Sequence, residues 1–196
     1  QVDTVFIGGG TPSLFSADAM ADIIAGIKAR VNLAPDAEIT MEANPGTVEA
    51  GKFLGFYHAG VNRISVGIQS FQPQHLAVLG RIHNDDQAIN AVKQAHSAGL
   101  PTFNLDLMHG LPQQSVDNAM ADLDKGIALN PYHLSWYQLT IEPNTPFYSR
   151  PPDLPDDDIL WEIQEQGHKV LEAAGYQQYE ISAYAKEGHQ CRHNVN

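Results

Sequence analysis

The sequence predicts an α/β fold with a parallel sheet, built as a barrel or as part of one. Apolar, β-branched runs recur along the chain, and each is followed by a turn signal and then by a helical pattern. The first five runs are centred near residues 5, 40, 65, 105 and 137, which is the pitch of successive βα units joined by right-handed crossovers. Polar residues stand at the carboxyl end of each strand, which favours a barrel over an open doubly wound sheet.

Six strands are predicted, each bounded by glycine, proline or asparagine. They span residues 2–7, 38–43, 61–69, 102–108, 133–141 and 176–184. Helices are predicted between them, with Ser16 and Thr47 as N-caps of the first two and the acidic triplet at 156–158 opening the last. The helices span about 16–31, 47–60, 73–79, 85–97, 115–129 and 156–174. Because the chain begins inside a strand, we expect it to start partway through a larger fold.

The composition excludes several classes of protein. Among 196 residues, 23 are acidic and 11 are Lys or Arg, a net charge of −12 that repels phosphate backbones, so we expect no nucleic-acid partner. There is no apolar run of about 18 residues that would span a membrane, and the first ten residues do not resemble a signal peptide. Cys191 is the only cysteine, which suits a reducing cytoplasm and excludes an iron–sulfur cluster held by this chain alone.

The carboxyl ends of five strands carry polar side chains between apolar ones. Because these ends meet at one rim of a parallel βα sheet, they predict a polar pocket for a small ligand with hydrogen-bonding edges. The segments are GGGTPS at 8–13, EANP at 42–45, GIQSF at 67–71, NLDLMHGLP at 104–112 and QLTIEP at 138–143.

The triple glycine at 8–10 lets backbone groups approach a ligand without an intervening Cβ. It is not a dinucleotide-binding fingerprint, because Ser13 stands where glycine or alanine is required. It is not a P-loop either, because no Gly-Lys-Ser/Thr follows. A tight strand-to-loop turn stays open as the alternative.

Glu42 and Asp106 are acidic residues within mostly apolar strands, which is unfavourable unless each has a partner. Either they accept hydrogen bonds from a ligand hydroxyl, amine or ribose, or they form structural ion pairs with Arg63 or Arg81. Gln69 both donates and accepts, so it suits ligand hydroxyls; its alternative is a backbone-capping amide.

Four of the nine histidines lie in helical patterns and are expected to be solvated. His109 ends a strand and is a candidate for the pocket. The tail at 188–194 holds two histidines and Cys191, groups that bind soft or borderline metals and haem iron. A disordered tail is the alternative, and we predict no metal site and no catalytic residue within this chain.

The motifs GGGTPSL, EANPG, GIQSF, GRIH, NLDLMHGLP, YQLTIEPNTPF and QCRHN, in this order, resemble the HemN/HemW group of radical S-adenosylmethionine proteins. The resemblance covers essentially the whole chain, and the motifs are specific as a set. It implies a partial, TIM-like (β/α)₆ barrel with parallel strands and without the first βα unit. Residues 1–185 would form this barrel domain, and 186–196 would begin the connection to a C-terminal domain.

The resemblance also implies an S-adenosylmethionine site at the rim. Gly9, Gly10 and Thr11 match the segment that binds the methionine end of the cofactor through backbone groups. Glu42 and Gln69 match two positions that contact the cofactor.

Further matches extend this implied site. Arg81 in GRIH matches a contact to the carboxylate, and Asp106 in NLDL matches a contact to the ribose hydroxyls. Thr140 falls on another cofactor-lining position, although its side chain differs from the one expected in HemN. His193 begins the segment HNVN, which resembles the first four residues of an HNxxYW motif, and is the candidate haem contact.

One departure from the family is large. The family's [4Fe–4S] cluster is held by a Cys-x₃-Cys-x₂-Cys loop, which would precede Gln1 and is absent from this sequence. Cys191 cannot replace three thiolates. We therefore expect an internal fragment whose cluster ligands lie outside it.

Three functions follow as hypotheses. The resemblance implies first a haem chaperone that binds S-adenosylmethionine, a [4Fe–4S] cluster and haem, and transfers haem to client proteins in the cytoplasm, with membrane contact only through clients. The alternative it implies is an oxygen-independent coproporphyrinogen III oxidase that acts by radical decarboxylation. A third, an unrelated barrel enzyme with Glu42 and Asp106 as acid and base, would need a lysine or a phosphate loop at the rim, and no strand end carries a lysine.

Overall fold

The computed structural model describes residues 1–47, 51–81 and 83–195, and seven strands in this part of the chain form one sheet. The strands are β1 Val2–Ile7, β2 Leu33–Ala43, β3 Arg63–Gln69, β4 Thr102–His109, β5 His133–Gln138, β6 Gln177–Glu180 and β7 Ala183–Ala185. The helices are α1 Ala17–Lys28, α2 Lys52–Ala59, α3 Pro73–Val78, α4 Asp85–Ser97, α5 Val116–Ala128, α6 Pro146–Ser149, α7 Asp157–Ala173 and α8 Arg192–Val195.

Strands β1 to β5 lie side by side in chain order, and every neighbouring pair is parallel. This order follows from the repeated strand-helix pattern, because each crossover returns the chain to the same end of the sheet. The sheet curls into a half-barrel whose concave face lines a lumen. The predicted TIM-like partial barrel is confirmed for these five strands.

The prediction of one final strand over 176–184 is wrong. Two short strands, β6 and β7, form a hairpin, and β7 pairs antiparallel with β5. The turn between them is held by Gln178 Nε2, which donates to the Ile181 carbonyl at 2.9 Å, and by Glu180, which accepts from the Ser182 amide at 3.3 Å. The chain therefore reverses, and the sheet is parallel over five strands and antiparallel at its far edge.

The cap of α1 is confirmed, because Ser16 Oγ accepts from the Ala19 amide at 3.1 Å. The cap of α2 differs from the prediction. This helix begins at Lys52 after Gly51, whereas Thr47 closes a 3₁₀ turn by donating to the Asn44 carbonyl at 2.9 Å. The intervening residues 48–50 lie outside the described part of the chain.

Side chains alternate between the two faces of β2 to β5, as the pleat of a strand requires. The apolar set faces the helices and forms the core, and includes Ile39, Met41, Ile64, Val66, Phe103, Leu105, Leu134 and Trp136. The polar set lines the lumen, and includes Glu42, Arg63, Ser65, Asn104, Asp106, His133, Ser135 and Tyr137. The core of this half-barrel therefore lies outside the sheet, between strands and helices.

Residues 191–195, which we call the base segment, lie against β1 and β2, at the edge of the sheet opposite the β6–β7 hairpin. The carboxylate of Glu38 in β2 accepts from Cys191 Sγ and the His193 amide, each at 3.3 Å, and from the Arg192 amide at 3.2 Å. Arg192 also pairs with Asp36 at 3.3 Å. The alternative of a disordered tail is therefore wrong for these residues, which are held at the amino end of β2.

Helices long and apolar enough to cross a membrane do not occur in the described ranges.

Candidate functional site

A cavity of about 230 Å³ opens at the carboxyl halves of β1 to β5, and we call it the rim cavity. It brings together six residues that the sequence singled out as candidate contacts, although they lie far apart in the chain. These are Gly10, Thr11, Glu42, Gln69, Arg81 and Asp106.

The glycine turn and Glu42 form one wall of the rim cavity. Gly9 and Gly10 have left-handed φ values of 81° and 57°, which glycine adopts without strain. The Gly9 amide donates to Glu42 Oε2 at 3.1 Å. At Gly8 there is no space for a side chain, because an added Cβ would lie 3.0 Å from the carboxyl carbon of Glu42. The glycines therefore form the tight turn and also fix the position of a carboxylate at the cavity.

Asp106 projects into the half-barrel within a network of hydrogen bonds. Ser65 Oγ donates to its Oδ2 at 2.9 Å, and Asn104 Nδ2 donates to its Oδ1 at 2.7 Å. Burial raises the pKa of Asp106, and these hydrogen bonds act in the opposite direction. The ion pairs found among the described residues involve neither Asp106 nor Glu42, so the alternative of structural pairing with an arginine is not observed there.

Gln69 ends β3 in a strained conformation. It is buried, and its φ of 68° is uncommon for a residue with a side chain, which is typical of functional positions. Its Oε1 accepts from Tyr137 Oη at 2.7 Å, and its Nε2 lies 2.9 Å from where a Cβ on Gly67 would stand. The alternative of a backbone-capping amide is therefore not observed, since the side chain is held by Tyr137 over a glycine.

Arg81 and Thr140 line two different cavities. Arg81 follows α3, is exposed, and lines the rim cavity. Thr140 lies in a neighbouring cavity of about 260 Å³ that shares only Tyr137 with the rim cavity, and its hydroxyl donates to Glu142 at 3.1 Å. The structure thus does not bring Thr140 to the other candidates, and its cofactor contact stays a prediction.

His109 also lines the neighbouring cavity, not the rim cavity. Its ring lies against Trp136 with centroids 4.2 Å apart, and burial lowers its pKa to about 4. It is therefore a neutral imidazole near pH 7.

Sequence reasoning missed Tyr137 and Ser65, which line the rim cavity between the predicted candidates. The signal was the period of two in β3 and β5, where every second residue is polar or glycine. That alternation places these side chains on the same face as Gln69 and Asp106.

The base segment carries the remaining candidates. His193 is exposed, its Nδ1 lies 3.0 Å from Thr4 Oγ1, and its ring centroid lies 5.4 Å from that of Phe6. Cys191 is buried, which raises the pKa of its thiol. Groups of three metal-binding side chains are absent from the described ranges, and one buried thiol does not fit an iron–sulfur cluster.

Comparison with known proteins identifies the family of the chain. Residues 1–123 match the Radical SAM superfamily. The whole chain is 65% identical to the protein named heme chaperone HemW of Escherichia coli (strain K12) and 59% identical to that of Haemophilus influenzae. It covers 52% and 51% of these proteins, so the chain spans about half the length of the curated relatives it matches.

A solved structure gives the same result for the fold. Coproporphyrinogen III oxidase (HemN) from Escherichia coli, described as a radical SAM enzyme, matches with a TM-score of 0.87 over 96% of this chain and 44% of that chain. At 24% identity this match shows the fold alone. The sequence match over more than half of the residues shows that the chain belongs to the radical SAM superfamily, as its motifs predicted.

Proposed function

We propose that this chain is the S-adenosylmethionine-binding barrel of a cytoplasmic haem chaperone. In the whole protein it acts with a [4Fe–4S] cluster, binds haem and transfers it to client proteins. The proposal of a cofactor site rests on one observation: four side chains converge beside the glycine turn, those of Glu42, Gln69, Arg81 and Asp106. The haem chemistry rests on relatives named heme chaperones at 65% and 59% identity.

The donor set of the rim cavity suits S-adenosylmethionine. This cofactor presents an ammonium group, a sulfonium group, one carboxylate and a ribose diol. The cavity offers two carboxyl groups and one guanidinium, so its charges are the complement of the ligand's. A nucleotide phosphate would instead meet two carboxyl groups, which disfavours it.

Each side chain has a role that its chemistry fits. Glu42, held by the Gly9 amide, accepts from the ammonium group, and Arg81 pairs with the carboxylate through its planar fork. Asp106 accepts from the ribose diol, positioned for this by Ser65 and Asn104. Gln69 offers an amide whose oxygen is already bonded to Tyr137.

The cofactor would supply a carbon–sulfur bond that is open to reductive cleavage beside a cluster. The described residues do not supply ligands for that cluster, since the only cysteine of the sequence is buried against Glu38. The role of this chain is therefore to bind and orient the cofactor.

We assign the haem contact to His193. Its Nδ1 is engaged by Thr4, an arrangement that fixes the ring and leaves Nε2 as the nitrogen for iron. The side chain is exposed, so a flat ligand can reach it from outside the half-barrel.

Equilibrium dialysis of labelled S-adenosylmethionine against the protein in its natural full length tests the cofactor site. We expect Asp106→Asn, Glu42→Gln and Arg81→Gln each to weaken binding at least tenfold, which is about 1.4 kcal/mol. Glu165→Gln is the control, because Glu165 is exposed and pairs only with Lys169 on α7. Binding unchanged in all three variants would contradict the site.

Haem titration followed at the Soret band tests the chaperone function. Wild type should give a saturable shift, His193→Ala should lose it, and Thr4→Val should weaken it by a smaller factor. His58→Ala, on an exposed position of α2, is the control. If the protein instead converts coproporphyrinogen III anaerobically, the chaperone proposal is wrong or incomplete.

A further inference from the structure

A second cavity, of about 300 Å³, continues from the rim cavity deeper into the half-barrel, and we call it the lumen cavity. It reaches Arg63 and His133, the first residues of β3 and β5, and is bounded there by Cys191 and Asn194 of the base segment. Its deep end therefore lies at the amino ends of the strands, opposite the rim.

Arg63 lines the lumen cavity and is only 2% exposed. Its Nε has no hydrogen-bond partner among the described residues, and it takes part in none of the ion pairs found there. A buried guanidinium without a bonded anion is unfavourable, because its lost hydration is not replaced. Such a group beside an open cavity indicates that an anion from outside the chain completes it.

Two acidic side chains lie near this end of the cavity, and neither forms an ion pair with Arg63. Asp106 acts on Arg63 as a more distant charge, while its own oxygens accept from Ser65 and Asn104. Glu38 accepts from the base segment instead. Asn104 Oδ1 is bonded to His133 Nδ1 at 2.6 Å and to Ser135 Oγ at 3.2 Å. His133 Nε2 is bonded to Tyr179 at 2.6 Å, and burial lowers the pKa of His133 to about 2, so the ring is neutral. Arg63 is thus the cation of this end of the cavity.

We propose that the lumen cavity is a ligand site of its own, which binds the carboxylate of a small organic monoacid at Arg63. The guanidinium fork matches a carboxylate in a bidentate geometry. The acidic side chains of Glu42 and Asp106 line the same cavity and repel a dianion such as phosphate more strongly than a monoanion, which favours a monoacid. The rings of Phe6 and Tyr137 provide walls for a short carbon chain.

This site goes beyond the cofactor chemistry proposed above, and the two are separable by experiment. The probe is ¹⁴C-labelled propionate in equilibrium dialysis against the full-length protein saturated with S-adenosylmethionine. We expect saturable binding at one site, at least a tenfold loss in Arg63→Gln and an intermediate loss in Arg63→Lys. Arg30→Gln is the matched control, because Arg30 is exposed just after the end of α1 and bonds only to the Gly26 carbonyl.

Four outcomes would overturn the proposal. These are the absence of saturable propionate binding, unchanged binding in Arg63→Gln, inorganic phosphate binding as tightly as propionate, and loss of propionate binding in Arg81→Gln. The last would place the carboxylate in the rim cavity. The melting temperature of Arg63→Met without added carboxylate gives an independent readout. It should equal or exceed that of wild type, since an unpaired buried charge is removed, and a large fall would show that Arg63 is a structural partner instead.

Discussion

The phenol of Tyr137 in β5 donates to Oε1 of Gln69 in β3 at 2.7 Å, across the intervening strand β4. This hydrogen bond joins two strands that are not neighbours in the sheet, and it does so inside the lumen. It therefore stabilises both the curvature of the half-barrel and the strained backbone conformation of Gln69.

Replacing Tyr137 by Phe should lower the free energy of unfolding by about 1 kcal/mol, the net value of one buried hydrogen bond. It should also weaken S-adenosylmethionine binding roughly fivefold, which is about 1 kcal/mol, because Gln69 loses its orientation. Urea unfolding and equilibrium dialysis measure the two effects. Tyr176→Phe is the matched control, because its hydroxyl donates to the Pro131 carbonyl at 2.7 Å away from the cavity. That variant should lose similar stability with unchanged binding, and a parallel loss of binding would count against the role of Tyr137.

Replacing Gly8 by Ala should weaken S-adenosylmethionine binding at least tenfold. The new Cβ would stand 3.0 Å from the carboxyl carbon of Glu42, so this side chain must move away from the Gly9 amide. Calorimetric titration checks the affinity. In Gly26→Ala the Cβ meets only the end of the Arg30 side chain, at 3.4 Å, so this helix variant should gain up to about 1 kcal/mol of stability and keep its affinity. Equal affinities in both variants would mean that Glu42 does not contact the ligand.

Replacing Gly167 by Ala should destabilise the fold by roughly 1–3 kcal/mol, the usual range for overpacking a core. Gly167 lies in α7, where an added Cβ would overlap the Trp136 ring. Thermal unfolding measures the change. A melting temperature at or above that of wild type would show that Trp136 moves aside freely.

The stability of the protein should fall as the pH drops below about 6.5, in part because of His109. Burial lowers the pKa of His109 to about 4 in the folded state. Below about pH 6.5 this side chain therefore binds a proton in the unfolded chain but not in the folded one. Between pH 7 and pH 5 this one group should remove about 2 kcal/mol.

Urea unfolding of wild type and His109→Phe at both pH values tests this contribution, since Phe can keep the contact with Trp136. The variant should lose about 2 kcal/mol less than wild type on acidification. His58→Asn, on an exposed position, should lose as much as wild type does. An identical loss in His109→Phe would rule out His109 as the cause.

The strand order and the polar residues at the strand ends were predictable from local patterns, whereas the cofactor role of Arg81 came from the family resemblance. Apolar runs, glycine turns and helix caps such as Ser16 depend on residues that are close together in the chain, so they can be recognised from the sequence alone. The prediction failed at Ile181 and Ser182, where a turn held by neighbouring side chains reverses an apparently continuous strand. It also failed at the base segment, which is ordered through Glu38, a residue far away in the chain.

The sequence by itself determined the parallel βα order and the set of polar residues at the strand ends, because both depend on short-range periodicity. Only the tertiary structure decided which of those residues share a cavity. It brought Arg81 to Glu42 and Asp106, placed Thr140 in the neighbouring cavity, and left Arg63 buried without a bonded anion among the described residues. The physical reason is that the curvature of the sheet fixes distances between strands, and neither composition nor spacing along the chain encodes that curvature.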